Sequence, residues 1–130
     1  MSTSAKRVSI RPIDTKSEQE IQLVAQRMKL TLIDVLGKTD GSKLYTDQWL
    51  LDRVRWHLQP EQKAEVLLAI TEQNHIVGQA IVRIEQDSQE VTFGHFSTIY
   101  VSPESRKLGV GQHLMEQVEK WCCENSSDYI

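Results

Sequence analysis

The stretch that decides the fold is residues 97–111, which read STIYVSPESRKLGVG. A predicted strand ends at Val101, Pro103 turns the chain, and the motif R-x-x-G-x-G then opens a predicted amphipathic helix. This order places the first amide groups of a helix directly beside the end of a strand. The segment is therefore the strongest candidate for a binding site in this sequence.

The loop formed by this motif has the properties of an anion-binding site. The first N–H groups of a helix have no internal acceptor, and the helix dipole adds partial positive charge there. Gly109 and Gly111 let a ligand approach the backbone without interference from a Cβ atom, and Arg106 and Lys107 add mobile positive charge. These features predict binding of a diphosphate group. The alternative is an ordinary glycine-containing turn at the start of a helix.

Hydrophobic periodicity outside this loop predicts seven elements in the order β-α-α-β-β-β-α. They cover residues 8–13, 15–36, 46–58, 65–71, 76–85, 90–101 and 111–123. Thr15 with Glu18 is the predicted capping box of the first helix, and Gly37 is its predicted end. The short links between the last three strands imply antiparallel hairpins, because parallel strands need a crossover of about a dozen residues. We therefore expect an α/β (α+β) fold with a mostly antiparallel, twisted sheet and flanking helices.

Length, charge and cysteine content restrict the class of protein. A chain of 130 residues favours one domain, and 15 Lys+Arg against 18 Asp+Glu give a net charge of −3, which argues against nucleic-acid or membrane partners. No run of about 18 apolar residues predicts a membrane span. Cys122 and Cys123 are adjacent, which excludes a disulfide framework and favours the cytoplasm. The spacing of His57, His75 and His113 predicts no metal site.

With the elements in this order, the sequence resembles the GNAT superfamily of N-acetyltransferases over residues 8–124, and the motif itself is specific from about residue 91 to 120. In that family an R/Q-x-x-G-x-G/A loop binds the pyrophosphate of acetyl-CoA, so the resemblance implies acetyl-CoA as acyl donor. The residues implied for this loop are Arg106, Lys107, Leu108, Gly109, Val110 and Gly111. The implied partners of the pantetheine arm are the backbone groups of Ile99, Tyr100 and Val101.

The resemblance also implies the reaction, which is acyl transfer from a thioester to an amine. The amine must lose a proton before it attacks, and the resemblance suggests a backbone N–H near Ile99 as the oxyanion donor. Histone-acetylating members carry a glutamate base six residues before the position of Val101, and His95 stands there in this sequence. With an ordinary pKa of about 6.5, His95 is the candidate base. The alternative is a half-buried strand histidine without a catalytic role.

The end of the chain sets the remaining expectations. The family continues with a further strand, a helix that carries a tyrosine acid, and a hairpin, whereas this sequence stops at Ile130. We therefore expect residues 1–130 to form a single acetyltransferase-like domain that lacks its C-terminal strands. The unpaired sheet edge favours a homodimer.

Two functions of different classes follow from these expectations. The first is an acetyl-CoA-dependent N-acetyltransferase that acts on a small-molecule or peptide amine by direct attack in a ternary complex. The second is a non-catalytic acyl-CoA-binding or interaction module. A nucleotide-phosphate-binding protein is a third, although the loop lacks the G-K-[ST] ending of a Walker P-loop.

Overall fold

The computed structural model of the protein describes residues 8–37, 46–86, 88–90, 92–106 and 109–125, without the side chains of residues 35, 36, 92, 93 and 95–97. The elements are β1 (Val8–Pro12), α1 (Glu18–Leu36), α2 (Asp47–His57), β2 (Ala64–Thr71), β3 (Ile76–Gln86), β4 (Thr92–Val101) and α3 (Val110–Glu124), with a 3-10 turn at Pro103–Ser105. The predicted order β-α-α-β-β-β-α is confirmed.

The four strands form one antiparallel sheet in the order β1-β2-β3-β4. The register of β3 and β4 shifts within the pair, because Ile81 lies opposite Thr98 whereas Val82 lies opposite Phe96. Ser97 is thus an extra residue on β4, and such a bulge bends its strand and increases the local twist. β4 therefore bends before its last residues reach the candidate loop.

Helices cover both faces of the sheet, so that β2 and β3 are buried on two sides and read as nearly continuous apolar runs. One core cluster joins α1 and α2 to the sheet and contains Ile13, Ile21, Val24, Ala25, Leu50, Val54, Val66, Leu68, Ile70 and Ile81. The other joins α3 to the opposite face and contains Val8, Leu67, Ala69, Val77, Ala80, Val82, Val110, Leu114, Val118 and Cys122. Among the described helices, none has the length and apolarity needed to cross a lipid bilayer.

The first helix begins later than expected. Ser17 is its N-cap, because the Ser17 side-chain oxygen accepts from the N–H of Glu20 at 3.2 Å, so the prediction of Thr15 is wrong. The carboxylate of Glu20 is occupied elsewhere, since it accepts from Arg11 at 2.7 and 3.1 Å and from the N–H of Asp14 at 2.9 Å. This contact between β1 and α1 fixes the start of the helix. At the other end, Gly37 follows Leu36 with a φ of 89°, as expected for a helix end.

Helix α3 lies very close to β3 at Gly78. A Cβ atom at this position would be 3.2 Å from Val110 Cγ1, from Leu114 Cδ1 and from the carbonyl oxygen of Tyr100. Glycine inside a strand often marks such a close approach of another element. Gly78 therefore allows the first turn of α3 to pack against the sheet beside the end of β4.

Candidate functional site

The chain that leaves β4 is held in place at both ends of a short turn. One residue beyond Val101, the N–H of Ser102 donates to the carbonyl oxygen of Val77 at 2.8 Å, which keeps the chain attached to β3. Pro103 occupies the start of the 3-10 turn, where its missing N–H removes no hydrogen bond. The N–H of Arg106 then donates to the carbonyl oxygen of Ser102 at 3.1 Å. The turn thus has a defined position relative to the sheet.

The first amide groups of α3 lie beside this turn. Gly109 is the N-cap in the left-handed region, with a φ of 82°, and the N–H of His113 donates to the Gly109 carbonyl oxygen at 3.0 Å. The N–H groups of Val110, Gly111 and Gln112 precede that first bond of the helix, and within the described ranges no carbonyl accepts from them. Amides that precede the first bond of a helix and the helix dipole together favour an anion here.

A Cβ atom would fit at Gly111 without a close contact to the described residues. A Cβ atom at Gly111 would lie 3.8 Å from Val101 Cγ2 and 4.0 Å from Ile99 Cδ1, which are ordinary van der Waals distances. Packing against the described residues therefore does not require glycine at this position. An absent Cβ instead leaves the backbone accessible, as close approach of a phosphate group requires.

Arg106 makes contacts within the protein that the sequence did not predict. Its Nε donates to the carbonyl oxygen of Val101 at 2.8 Å, and its Nη2 lies 3.6 Å from Asp34 Oδ2. The guanidinium carbon is 5.9 Å from the centre of the Tyr100 ring. Because 48% of the side chain remains exposed, Arg106 both supports the turn and keeps charge facing solvent beside the first amides of α3.

The structure brings most of the predicted cofactor residues together where β4 meets α3. These are Ile99, Tyr100, Val101, Arg106, Gly109, Val110 and Gly111. Lys107 and Leu108 lie outside the described residues. The assignment of these residues to a cofactor stays a prediction, whereas their proximity is now a structural fact.

The candidate base is separated from this group along the strand. His95 lies on β4 before the bulge at Ser97, and the register places it opposite Arg83 on β3. The structure does not describe the side chain of His95. The catalytic role of His95 therefore stays a prediction. In the described part of the chain, no three His, Cys, Asp or Glu side chains converge on a possible metal site.

Sequence reasoning missed two residues of α1 that contact this region. Arg27 reaches Ser102 and Tyr100, and Asp34 reaches Arg106. Arg27 follows Val24 by three residues, so it adjoins the apolar stripe that faces the sheet. A charged residue beside such a stripe was the available signal, because a long side chain there can extend across the packed surface.

Comparison with known proteins identifies the family and the fold. Residues 32–129, about three quarters of the chain, match the model of the acetyltransferase (GNAT) family. A predicted acetyltransferase of Clostridium acetobutylicum, solved with acetyl-CoA, is similar with a TM-score of 0.78 and 20% identity over 95% of this chain and 78% of that chain. A possible acetyltransferase of Clostridium difficile 630 is similar with a TM-score of 0.76 and 17% identity, covering 94% of this chain and 76% of that chain.

A plant enzyme has the same fold at a greater structural distance. Glucosamine-6-phosphate N-acetyltransferase of Arabidopsis thaliana has a TM-score of 0.63 and 16% identity, covering 94% of this chain and 78% of that chain. At such identities the structural similarity shows the fold, and the family match shows the class of enzyme. The chain belongs to the acetyltransferase (GNAT) family, whose enzymes use acetyl-CoA as the acetyl donor.

Proposed function

We propose that this protein transfers the acetyl group of acetyl-CoA to the primary amine of a small molecule or peptide, by direct attack within a ternary complex. The observation that carries the proposal is the junction between β4 and α3. There the N–H groups of Val110 and Gly111 precede the hydrogen bonds of the helix and lie beside the end of an edge strand.

The loop is proposed to bind the pyrophosphate of acetyl-CoA. The amides of Val110 and Gly111 supply the donors, and Gly109 supplies the left-handed turn that begins the helix. Arg106 supports the loop from the side, and Lys107 and Leu108 complete it in sequence.

The pantetheine arm is proposed to lie along the outer edge of β4. Within the described residues β4 pairs with β3 alone, so its other edge has backbone groups that can pair with an extended ligand. Ile99, Tyr100 and Val101 follow the bulge at Ser97 and form the end of this edge. An arm bound there would lead from the loop towards the bend in the strand.

The proposed reaction needs a deprotonated amine and a stabilised oxyanion. The amine nitrogen forms a bond to the acetyl carbon, the thioester C–S bond breaks, and the amine loses a proton while the thiolate leaves. An amine with a pKa near about 10 is mostly protonated at neutral pH, so removal of its proton is part of catalysis. A backbone N–H near Ile99 is proposed to donate to the oxyanion, and binding both substrates on one sheet supplies orientation.

His95 is proposed to accept the amine proton, directly or through a water molecule. It stands on the same strand as the proposed pantetheine edge, on the other side of the bulge. Its partner in the register, Arg83, is ion-paired with Glu85 at 2.5 Å. An imidazole with an ordinary pKa of about 6.5 is largely deprotonated at neutral pH and can act as a base.

The test is release of free CoA thiol from acetyl-CoA with a panel of amines and the 130-residue protein. The panel contains a polyamine, an amino acid, a peptide with a free N-terminus and glucosamine-6-phosphate, since the similar Arabidopsis enzyme is named for that sugar. We expect amine-dependent thiol release and an acetylated product detected by mass spectrometry.

A Gly109→Glu variant is the matched control, because it places a carboxylate beside the proposed phosphate site. Gly109→Asn controls for backbone strain, since asparagine tolerates the left-handed conformation of this position.

Binding of acetyl-CoA to the wild-type protein without turnover would instead support a non-catalytic module. Competition by ATP as strong as that by CoA would support a general nucleotide-phosphate site.

A further inference from the structure

The side chain of Arg27 extends from α1 to the end of β4 and the turn that follows it. Its Nη2 donates to the carbonyl oxygen of Ile76 at 2.5 Å and lies 3.4 Å from Ser102 Oγ. Its guanidinium carbon lies 5.1 Å from the centre of the Tyr100 ring, within cation–π range. One side chain thus contacts the start of β3, the end of β4 and the first residue of the turn.

We propose that Arg27 is a positioning residue for acetyl-CoA, which holds the turn between β4 and α3 where the first amides of α3 can bind the pyrophosphate. This inference rests on the proposed function of the loop. Arg27 contacts none of the loop amides itself and acts through Ser102 and Tyr100.

The guanidinium of Arg27 is partly buried, so its free energy depends on its hydrogen-bond partners. Nη1 is buried and has no hydrogen-bond partner among the described residues. Burial lowers the pKa of Arg27 from its ordinary value, and the nearby Tyr100 and Glu104 partly oppose that shift. A partly desolvated cation costs free energy unless acceptors compensate it, and the acceptors here are a β3 carbonyl and the turn hydroxyl.

Tyr100 connects Arg27 to the first residue of the loop. Its ring is contacted by two guanidinium groups, that of Arg27 at 5.1 Å and that of Arg106 at 5.9 Å. The ring is buried, with only 9% of the residue exposed. A displacement of Arg27 would therefore disturb both Ser102 and, through the ring, Arg106.

A merely structural role would make Arg27 important for the whole fold and for every ligand alike. A positioning role predicts a selective defect. Only ligands with a pyrophosphate use the amides at the start of α3, whereas the backbone edge proposed for the pantetheine arm is held by the pairing of β4 with β3. S-acetylpantetheine has the thioester and the pantetheine arm but lacks the pyrophosphate. Comparing it with acetyl-CoA separates the two roles.

The experiment measures the dissociation constants of acetyl-CoA by calorimetry and of S-acetylpantetheine by NMR titration, for wild type, Arg27→Gln and Arg27→Lys. We expect Arg27→Gln to bind acetyl-CoA about tenfold more weakly and S-acetylpantetheine unchanged. Arg27→Lys should recover part of the affinity, because its ammonium can donate to the carbonyl of Ile76 but lacks the planar fork. In turnover, KM for acetyl-CoA should rise while kcat at saturation stays constant.

Arg55→Gln is the matched control, since Arg55 lies on α2 and pairs with the exposed Glu18. It should bind both ligands like the wild type. Equal affinity of wild type and Arg27→Gln for acetyl-CoA would overturn the inference, as would an equal loss for both ligands. If Arg27→Gln does not fold, a loss of about threefold in Arg27→Lys, confined to acetyl-CoA, supports the inference, and its absence overturns it. A wild-type protein that does not bind acetyl-CoA refutes the proposed function itself.

Discussion

The Nε of Arg106 donates to the carbonyl oxygen of Val101 at 2.8 Å, so the first residue of the loop motif is tied to the last residue of β4. The side chain of Arg106 makes this bond, and its backbone N–H makes a second bond to the carbonyl oxygen of Ser102. The position of the loop therefore depends on a side chain as well as on the backbone.

Replacement of Arg106 by glutamine should preserve most of this bond. The glutamine Nε2 is as many bonds from the Cα as the arginine Nε, so it can donate to the same carbonyl of Val101. We expect Arg106→Gln to bind acetyl-CoA within about threefold of wild type and Arg106→Ala to lose about tenfold, both measured by calorimetry. Equal losses of affinity in both variants would show that the charge of Arg106, and not its hydrogen bond, determines binding.

The ion pair between Arg106 and Asp34 is exposed, so Asp34→Asn should change the affinity for acetyl-CoA little.

Two glycines should respond to alanine in opposite ways. A Cβ at Gly78 would lie 3.2 Å from three atoms, whereas at Gly111 it would make ordinary contacts of 3.8 and 4.0 Å. We expect Gly78→Ala to lower the free energy of unfolding, measured with urea, by about 1–3 kcal/mol. Gly111→Ala should leave the unfolding free energy within about 0.5 kcal/mol of wild type but weaken acetyl-CoA binding. Similar destabilisation by both variants, or unchanged binding in Gly111→Ala, would disagree with these assignments.

Stability should depend on pH through Glu20. The hydrogen bond from Arg11 holds the pKa of Glu20 below its ordinary value, with help from the N–H of Asp14 and against the effect of burial. The carboxylate therefore stabilises the fold above its unfolded pKa of about 4.3, and this contribution is lost as pH falls through the lower folded pKa.

The variant Glu20→Gln should thus have an unfolding free energy about 1 kcal/mol lower at neutral pH. The loss is modest because the contact with Arg11 is partly exposed. The difference from wild type should shrink below about pH 4. Urea unfolding at several pH values measures this difference in unfolding free energy. The control is Glu72→Gln, in the exposed turn after β2. A difference that does not change with pH would show that the lowered pKa does not contribute to stability.

His95→Ala tests the proposed base. We expect kcat/KM to fall about a hundredfold near neutral pH, mainly on the acidic-to-neutral limb of the pH profile. His75→Ala, in the exposed turn between β2 and β3, should keep the wild-type profile. If the profile of His95→Ala kept its shape and height, His95 would have no role in proton transfer.

Local patterns predicted the order of elements and the loop, whereas tertiary contacts set the details. Ser17 and Thr15 each precede a glutamate by three residues, and only the contact of Glu20 with Arg11 on β1 decides between them. The contacts of Arg27 with Ile76 and Ser102 span 49 and 75 residues of sequence, beyond the range of any local pattern. An isolated glycine in a strand was a readable signal of close packing at Gly78.

The most direct test of the loop assignment is a nitrogen–proton NMR titration of the protein with acetyl-CoA. We predict that the backbone amides of Val110, Gly111 and Gln112 show the largest shifts, and that S-acetylpantetheine leaves them in place. Binding of acetyl-CoA with these three amides unmoved would contradict the assignment of the pyrophosphate to the start of α3.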